Sequence, residues 1–268
     1  MTGKERLAAL FDSANSQGRA VFMPYLTVGL PDPESSVAMF TAMAEAGADA
    51  FEVGFPYSDP LMDGPTIHEA GLAAIQAGTT VAVGFDLVAQ IAATTGKPVI
   101  VMTYVNPVLA VGIETFVDRL VEAGACALIV SDIAVGETQE ITAACSLRGI
   151  GYVQFVAPTT GTDRLREIVA TDPVFVYGIA ELGVTGERRQ GSSNLTTLAA
   201  TLRAVSEVPL VFGVGISNPE QAAAAAAVGD GVIVGSALVR RVLESNTPED
   251  AVTALRSAVK AFASAMTR

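Results

Sequence analysis

One recurrence constrains this chain more than any other feature: eight short apolar, β-rich runs separated by stretches of helical periodicity. The runs are AVFMPYLTV (20–28), ADAFEVG (48–54), PVIVMTYV (98–105), ALIVSDIAV (127–135), GYVQFVAP (151–158), PVFVYGI (173–179), PLVFGVGI (209–216) and GVIVGSA (231–237). Segments such as SSVAMFTAMAEAG (35–47) and ETFVDRLVEAG (114–124) stand between them with apolar residues at helical spacing. Strands alternating with helices make parallel βαβ units. Eight strands without an interrupting linker predict an α/β fold, a closed (β/α)8 TIM barrel filling residues 1–268 as one domain, rather than an open doubly wound sheet. A helical pattern before the first strand and a long insert after the second predict an extra N-terminal helix and extra helical inserts.

The helix boundaries carry their own signals. Asp32, Asn218 and Thr247 each precede a proline and then an acid, the order of a capping side chain, Pro at the first helical position and negative charge on the helix dipole. The repeated EAGADA and EAGACA place Gly47 and Gly124 where a helix must stop ahead of a strand. Ala222 to Ala227 form an alanine run suited to a closely packed helix.

Composition narrows the function. Half of the residues are hydrophobic and 16% charged, enough apolar surface for a large core. Against 28 acids stand 16 Lys and Arg, a formal charge of −12 that argues against nucleic acid or an anionic membrane surface as partner. A single phosphate stays compatible, because helix N-termini bind anions without basic side chains. Cys126 and Cys145 read as reduced core thiols. The opening MTGKERLAALFDSANSQG lacks a signal-type apolar stretch, and no run has the length to span a bilayer, so a cytoplasmic protein is expected.

A barrel of this kind carries its active site at the C-terminal ends of the strands. Glu52 interrupts the second run near that end, and Asp59 and Asp63 follow in a Pro- and Gly-rich loop. Glu52 is either a barrel carboxylate satisfied by a buried hydrogen bond or an acid/base whose pKa burial raises. Asp59 suits Asx-turn chemistry, and Asp63 is the candidate for function. After strand seven, Gly213 and Gly215 lead into a helix at Ser217 or Asn218; after strand eight, Gly235 and Ser236 open another. These are the places where such barrels bind phosphate. Lysine occurs only at 4, 97 and 260, in terminal helices or at the opposite barrel end, so no Schiff-base lysine is available. His68 is the only histidine, which argues against a His-cluster metal site or a Ser–His–Asp triad and reads as a helix-surface residue.

EVGFPYSDPLMDGPTI (52–67) closely resembles the acidic signature of the tryptophan synthase alpha subunit family. VFMPYLTVGLPDP, VMTYVNPVLAVG, YGIAELGVTG, FGVGIS and VIVGSA continue the resemblance in order, so it covers about residues 5 to 265. The resemblance implies a carbon–carbon lyase of tryptophan biosynthesis that splits indole-3-glycerol phosphate into indole and glyceraldehyde 3-phosphate. Glu52 and Asp63 fall on the family's catalytic glutamate and aspartate, and Tyr177 on the tyrosine beside the glycerol chain. Gly186, Gly215, Gly235 and Ser236 match phosphate contacts, with Thr185 and Gly213 among the substrate-binding positions. Tyr25, Val101 and Ile67 match the indole pocket.

The resemblance also implies a beta-subunit partner in an alpha2beta2 heterotetramer, with no cofactor on this chain and pyridoxal phosphate on the partner. The apolar, Pro-containing TYVNPVLAVG after strand three is read as a loop suited to that contact. Residues 181–194, ELGVTGERRQGSSN, read as a mobile lid carrying Gly183, Gly186 and Gly191. Two departures from the family pattern stand out: Ala134 where proline is usual, and Ala180–Glu181 where Ser-Arg is common. Two other functions remain open at this stage, a free-standing indole-releasing lyase and a barrel acting mainly as an allosteric activator of a beta subunit.

Overall fold

The computed structural model describes residues 1–179 and 188–267, with backbone alone for 188–193. All eight apolar runs form strands: β1 Val21–Thr27, β2 Phe51–Gly54, β3 Val99–Thr103, β4 Ala127–Val130, β5 Gly151–Val156, β6 Phe175–Gly178, β7 Leu210–Phe212 and β8 Gly231–Val234. They pair in parallel and in chain order, and β8 returns to β1 to close the barrel. Helix α1 (Gly3–Ser16) precedes β1, and α2 (Pro33–Glu45) crosses to β2. The long insert after β2 contains α3 (Pro65–Gln76) and α4 (Val81–Thr95). Beyond β3 come α5 (Val105–Val111) and α6 (Ile113–Glu122); beyond β4, a 3-10 turn (Val135–Glu137) and α7 (Gln139–Leu147). The remaining helices are α8 (Thr162–Ala170), α9 (Arg188–Arg203), α10 (Pro219–Ala226), α11 (Ser236–Leu243) and α12 (Pro248–Ala263). The predicted barrel, N-terminal helix and helical inserts are all present.

The caps act as their sequences require. Asp32, Asn218 and Thr247 accept from the N–H groups of Ser35, Gln221 and Asp250, each contributing about 1 kcal/mol to its helix. Gly47 and Gly124 have φ of 110° and 74°, a conformation in which a β-carbon is strained. Helix α1 lies across the N-terminal barrel end: Lys4 N–H donates to Gly149 O, and Phe11 packs on Phe175 at 5.9 Å between centroids. That leaves the opposite end open. Both cysteines are free and buried, and burial pushes the Cys145 thiol up to about 12. No single helix among the described residues is long and apolar enough to cross a membrane.

One local expectation needs correction, and another falls largely outside the described residues. TYVNPVLAVG is not a loop: Val105–Val111 is helix α5, which buries Pro107 and Val108 and leaves Leu109 exposed. Asp132 accepts the Val105 N–H at 2.7 Å, capping the helix from the neighbouring strand end, a contact that local sequence does not reveal. The segment read as a lid lies outside the described residues from 180 to 187, including Ala180, Glu181, Gly183, Thr185 and Gly186. From Arg188 onward it is the start of α9.

The backbone at Ala134 is one that the usual proline could also adopt. Ala134 has φ −77° and ψ 147°, within the range a proline ring imposes. Ala134→Pro is expected to raise stability by roughly 0.4–1 kcal/mol, because it restricts the unfolded chain while asking nothing new of the folded one. A higher urea midpoint at unchanged slope is the expected reading; a lower midpoint would mean that this loop needs the Ala134 N–H.

Candidate active site

Strand alternation decides which side chains reach the open end. Tyr25 and Glu52 are register partners on β1 and β2, and both face the barrel interior, where they line a cavity of about 360 Å³. Asp63, Ile67, Tyr177, Gly213, Gly215, Gly235 and Ser236 line the same cavity. Val101 does not. It pairs with Val53, one residue out of phase with Glu52, and is buried on the other face; Met102 lines the cavity instead. Met62, Ile133, Phe155 and Ile179 complete much of the apolar wall, and Ser131 adds a hydroxyl-bearing residue to the lining.

Glu52 is 1% exposed, and its Oε1 has no hydrogen-bond partner among the described residues. Burial, reinforced by the nearby charge of Asp63, raises its pKa to about 8. Glu52 thus lacks, at Oε1, the bond expected of a purely structural barrel carboxylate. Near neutral pH it can both hold a proton and release one.

Asp63 sits in a turn in which its own N–H donates to Pro60 O. Burial raises its pKa, opposed by a hydrogen bond from the Tyr104 hydroxyl and by the charge of His68. Exposed on α3, His68 is thus a surface residue that also favours the Asp63 carboxylate. Tyr104 escaped sequence reasoning. Its hydroxyl accepts from Met62 N–H at 3.2 Å and donates to Asp63, holding the acidic loop from the β3 side. Tyr57 stacks on it at 5.1 Å, and Asn106 Nδ2 donates to Tyr57 Oη at 2.8 Å. The usable signal was alternation along β3, which puts residues 100, 102 and 104 on one face. Asp59 is exposed and enters the turn through its backbone carbonyl, which accepts from Leu61 N–H, rather than through the side-chain turn that sequence suggested.

Glycines make room for the aromatic walls. A β-carbon on Gly213 would lie 2.0 Å from Tyr177 Oη, and one on Gly54 would lie 2.1 Å from Tyr25 Oη. Tyr177 leans on Phe155 with centroids 5.2 Å apart.

The two predicted anion sites differ. At α10 the start is occupied by its own side chains: Asn218 accepts from Gln221 N–H, and Gln221 Oε1 accepts from Ser217 N–H at 2.8 Å. At α11 Gly235 supplies no side-chain cap, and Gly235 and Ser236 themselves line the cavity, so this helix start opens at the cavity without a capping side chain of its own. Among the described residues no group of three or more His, Cys, Asp or Glu is placed to hold a metal ion. The cavity therefore offers a carboxylic acid, a carboxylate, an aromatic and aliphatic slot, and a helix N-terminus for an anion.

Known proteins resemble this chain over nearly its whole length. The family described as tryptophan synthase alpha chain matches residues 11–267. A tryptophan synthase alpha chain from Gloeobacter violaceus is 43% identical over 91% of this chain and 89% of its own length. One from Chloroflexus aggregans is 39% identical over 98% of both. A tryptophan synthase structure from Mycobacterium tuberculosis superposes with a TM-score of 0.88 at 39% identity, covering 98% of each chain. The alpha subunit from Legionella pneumophila gives 0.86 at 29% identity over 97% of each. Barrel, cavity and relatives converge, and the chain belongs to the tryptophan synthase alpha chain family.

Proposed function

We propose that residues 1–268 act as one barrel domain that cleaves indole-3-glycerol phosphate to indole and glyceraldehyde 3-phosphate, with Glu52 as proton shuttle and Asp63 as charge stabiliser. The observation that carries this reading is one cavity holding a buried carboxyl with a pKa of about 8, a second carboxylate and an uncapped helix start. Family membership already makes the chain a lyase of tryptophan biosynthesis.

The chemistry balances on a single proton carrier. Protonated Glu52 delivers its proton to indole C3, and Asp63 accepts a hydrogen bond from the ring N–H as the ring becomes positive. Glu52, now a carboxylate, takes the proton from the hydroxyl on the carbon bonded to C3. That carbon–carbon bond then breaks. Its electron pair neutralises the ring, the former alcohol carbon becomes the aldehyde, and Glu52 ends as it began. Desolvation strengthens the Asp63 interaction where charge develops. Tyr25, Ile67, Met102 and Phe155 supply apolar surface for the indole, and Tyr177 flanks the glycerol chain. Thr185 and Gly186 remain family-based expectations outside the described residues.

For the phosphate, α11 is the better site, and Gly235 the cleaner probe. Gly215 has φ 76°, so any side chain there brings strain of its own, whereas a β-carbon on Gly235 meets Tyr25 only at 3.5 Å. Gly235→Asp puts a carboxylate beside the dianion and should raise KM by roughly two orders of magnitude, as like charges at close range cost several kcal/mol. An unchanged KM in the folded variant would move the phosphate elsewhere.

The family implies a beta-subunit partner. Leu61, Met62 and Leu109 support a docking face at the cavity mouth, being 82%, 61% and 57% exposed. An alpha2beta2 assembly in the cytoplasm is expected, with pyridoxal phosphate belonging wholly to the beta subunit and indole passing between the sites. The test is indole formation by the purified chain with and without a tryptophan synthase beta subunit. Turnover that rises on addition supports lyase and partner together. No indole under either condition overturns the lyase, and full activity with no gain from any beta subunit overturns the partner.

A further inference from the structure

The two chemical ends of the cavity are carried by helices that touch. Helix α11 opens at Gly235 and Ser236 on the anion side, while α3 opens at Pro65, two residues after Asp63. One turn into α11, Arg240 donates from Nη2 to Thr66 Oγ1 in the first turn of α3, joining residues 174 apart in sequence. Its other arm lies 3.9 Å from Glu244, the C-cap residue of its own helix. Thr66 is only 7% exposed, so the hydroxyl would be left buried and unsatisfied without that guanidinium.

Three facts make this bond more than a surface contact. The N-cap of α3 is Gly64, which has no side chain to cap the helix, so its first turn lacks a fastening of its own. Within the turn itself, the Ile67 and His68 N–H groups donate to Gly64 O. Neither Arg240 nor Thr66 lines the cavity, so the bond can influence a ligand only through the elements it ties together. Those elements carry Asp63 on one side and the α11 start on the other. Tyr104 holds the acidic loop from the β3 side, and Arg240 holds its far end from the β8 side.

We propose that Arg240 is a positioning residue of this site: by holding Thr66 it fixes the first turn of α3, and with it Asp63, relative to a phosphate bound at α11. The proposal rests on the reading of the cavity given above and adds the device that sets the spacing between its two ends. A group misplaced by a fraction of an ångström loses catalysis without losing binding.

Arg240→Met and Thr66→Val, made in the full chain, test it by kinetics and by amide hydrogen exchange. Each should lower kcat for indole-3-glycerol phosphate cleavage about tenfold, with KM changed less than threefold. The combined variant should lose no more than either alone, since both remove the same bond. Exchange across residues 64–68 should quicken in both, and glycerol phosphate should slow it in the parent protein but not in Arg240→Met. Thr66→Ser, which keeps the hydroxyl, should recover most of what Thr66→Val loses. A rise in KM at constant kcat would make Arg240 a phosphate-steering charge instead, and additive losses or unchanged exchange at 64–68 would overturn the coupling. Should Arg240→Met fail to fold, the Thr66 pair decides. If the parent protein cleaves no substrate, the functional reading falls, while the exchange data still judge the contact itself.

Discussion

Glu52→Gln is expected to lower indole formation by at least roughly 10²–10⁴-fold, the usual cost of a lost acid/base, while making the barrel more stable. The amide keeps the shape of the carboxyl but can neither deliver a proton to C3 nor recover one. The stability gain follows from linkage. Glu52 has a folded-state pKa of about 8 against an ordinary 4.5, because burial disfavours its charge. Between those values the folded chain holds a proton that the unfolded chain releases, so parent stability falls as pH rises through the window, by at most about 1.4 kcal/mol per pH unit. Glutamine does not titrate. The advantage of the variant should therefore be small below pH 5, widen up to about pH 8 and then level off. Denaturant melts across that range, together with single-turnover indole assays, read both effects. Near-normal turnover would sink the carboxylate mechanism, and a variant destabilised at pH 8 would show that Glu52 is held by a bond rather than burdened by burial.

The same mismatch between burial and charge made this candidate site legible in sequence. A glutamate among the apolar residues of a barrel strand makes no sense for packing, so Glu52 announced itself, as did the acidic loop that followed. The barrel was equally plain, because eight apolar runs with Gly stops and Pro starts leave few alternatives. What stayed hidden depends on register and on distance in the chain. Val101 and Met102 are adjacent apolar residues of one strand, and only the pairing of Glu52 with Ile100 decides which of them faces the cavity. Tyr104 bonds a loop some forty residues earlier, and Arg240 meets Thr66 across the closure of the barrel, β8 beside β1. Helix α5 was misread as a loop because its cap, Asp132, comes from another strand. Contacts of this kind have no local periodicity to betray them.

Asp63→Asn should lose activity by about 10²–10³-fold, the size of a removed electrostatic stabiliser, with substrate affinity nearly intact. Its interaction grows only as the ring becomes positive, so the loss belongs in kcat rather than KM. The same variant makes a second, more discriminating prediction. In the proposed reaction Glu52 starts protonated, so kcat/KM of the parent should fall as pH rises through about 8. The charge of Asp63 is one of the two causes that hold Glu52 that high. Neutralising it should move the basic limb of the residual activity to lower pH, leaving burial as the remaining cause. Asp59→Asn is the control: Asp59 is exposed and enters its turn through the backbone, so turnover and stability should change little. If Asp59→Asn proves as damaging to turnover as Asp63→Asn in folded protein, the division of roles within this loop is wrong. If the basic limb stays in place when Asp63 is neutralised, the two carboxyl groups do not sense each other, and the proposed coupling of proton shuttle and charge stabiliser fails.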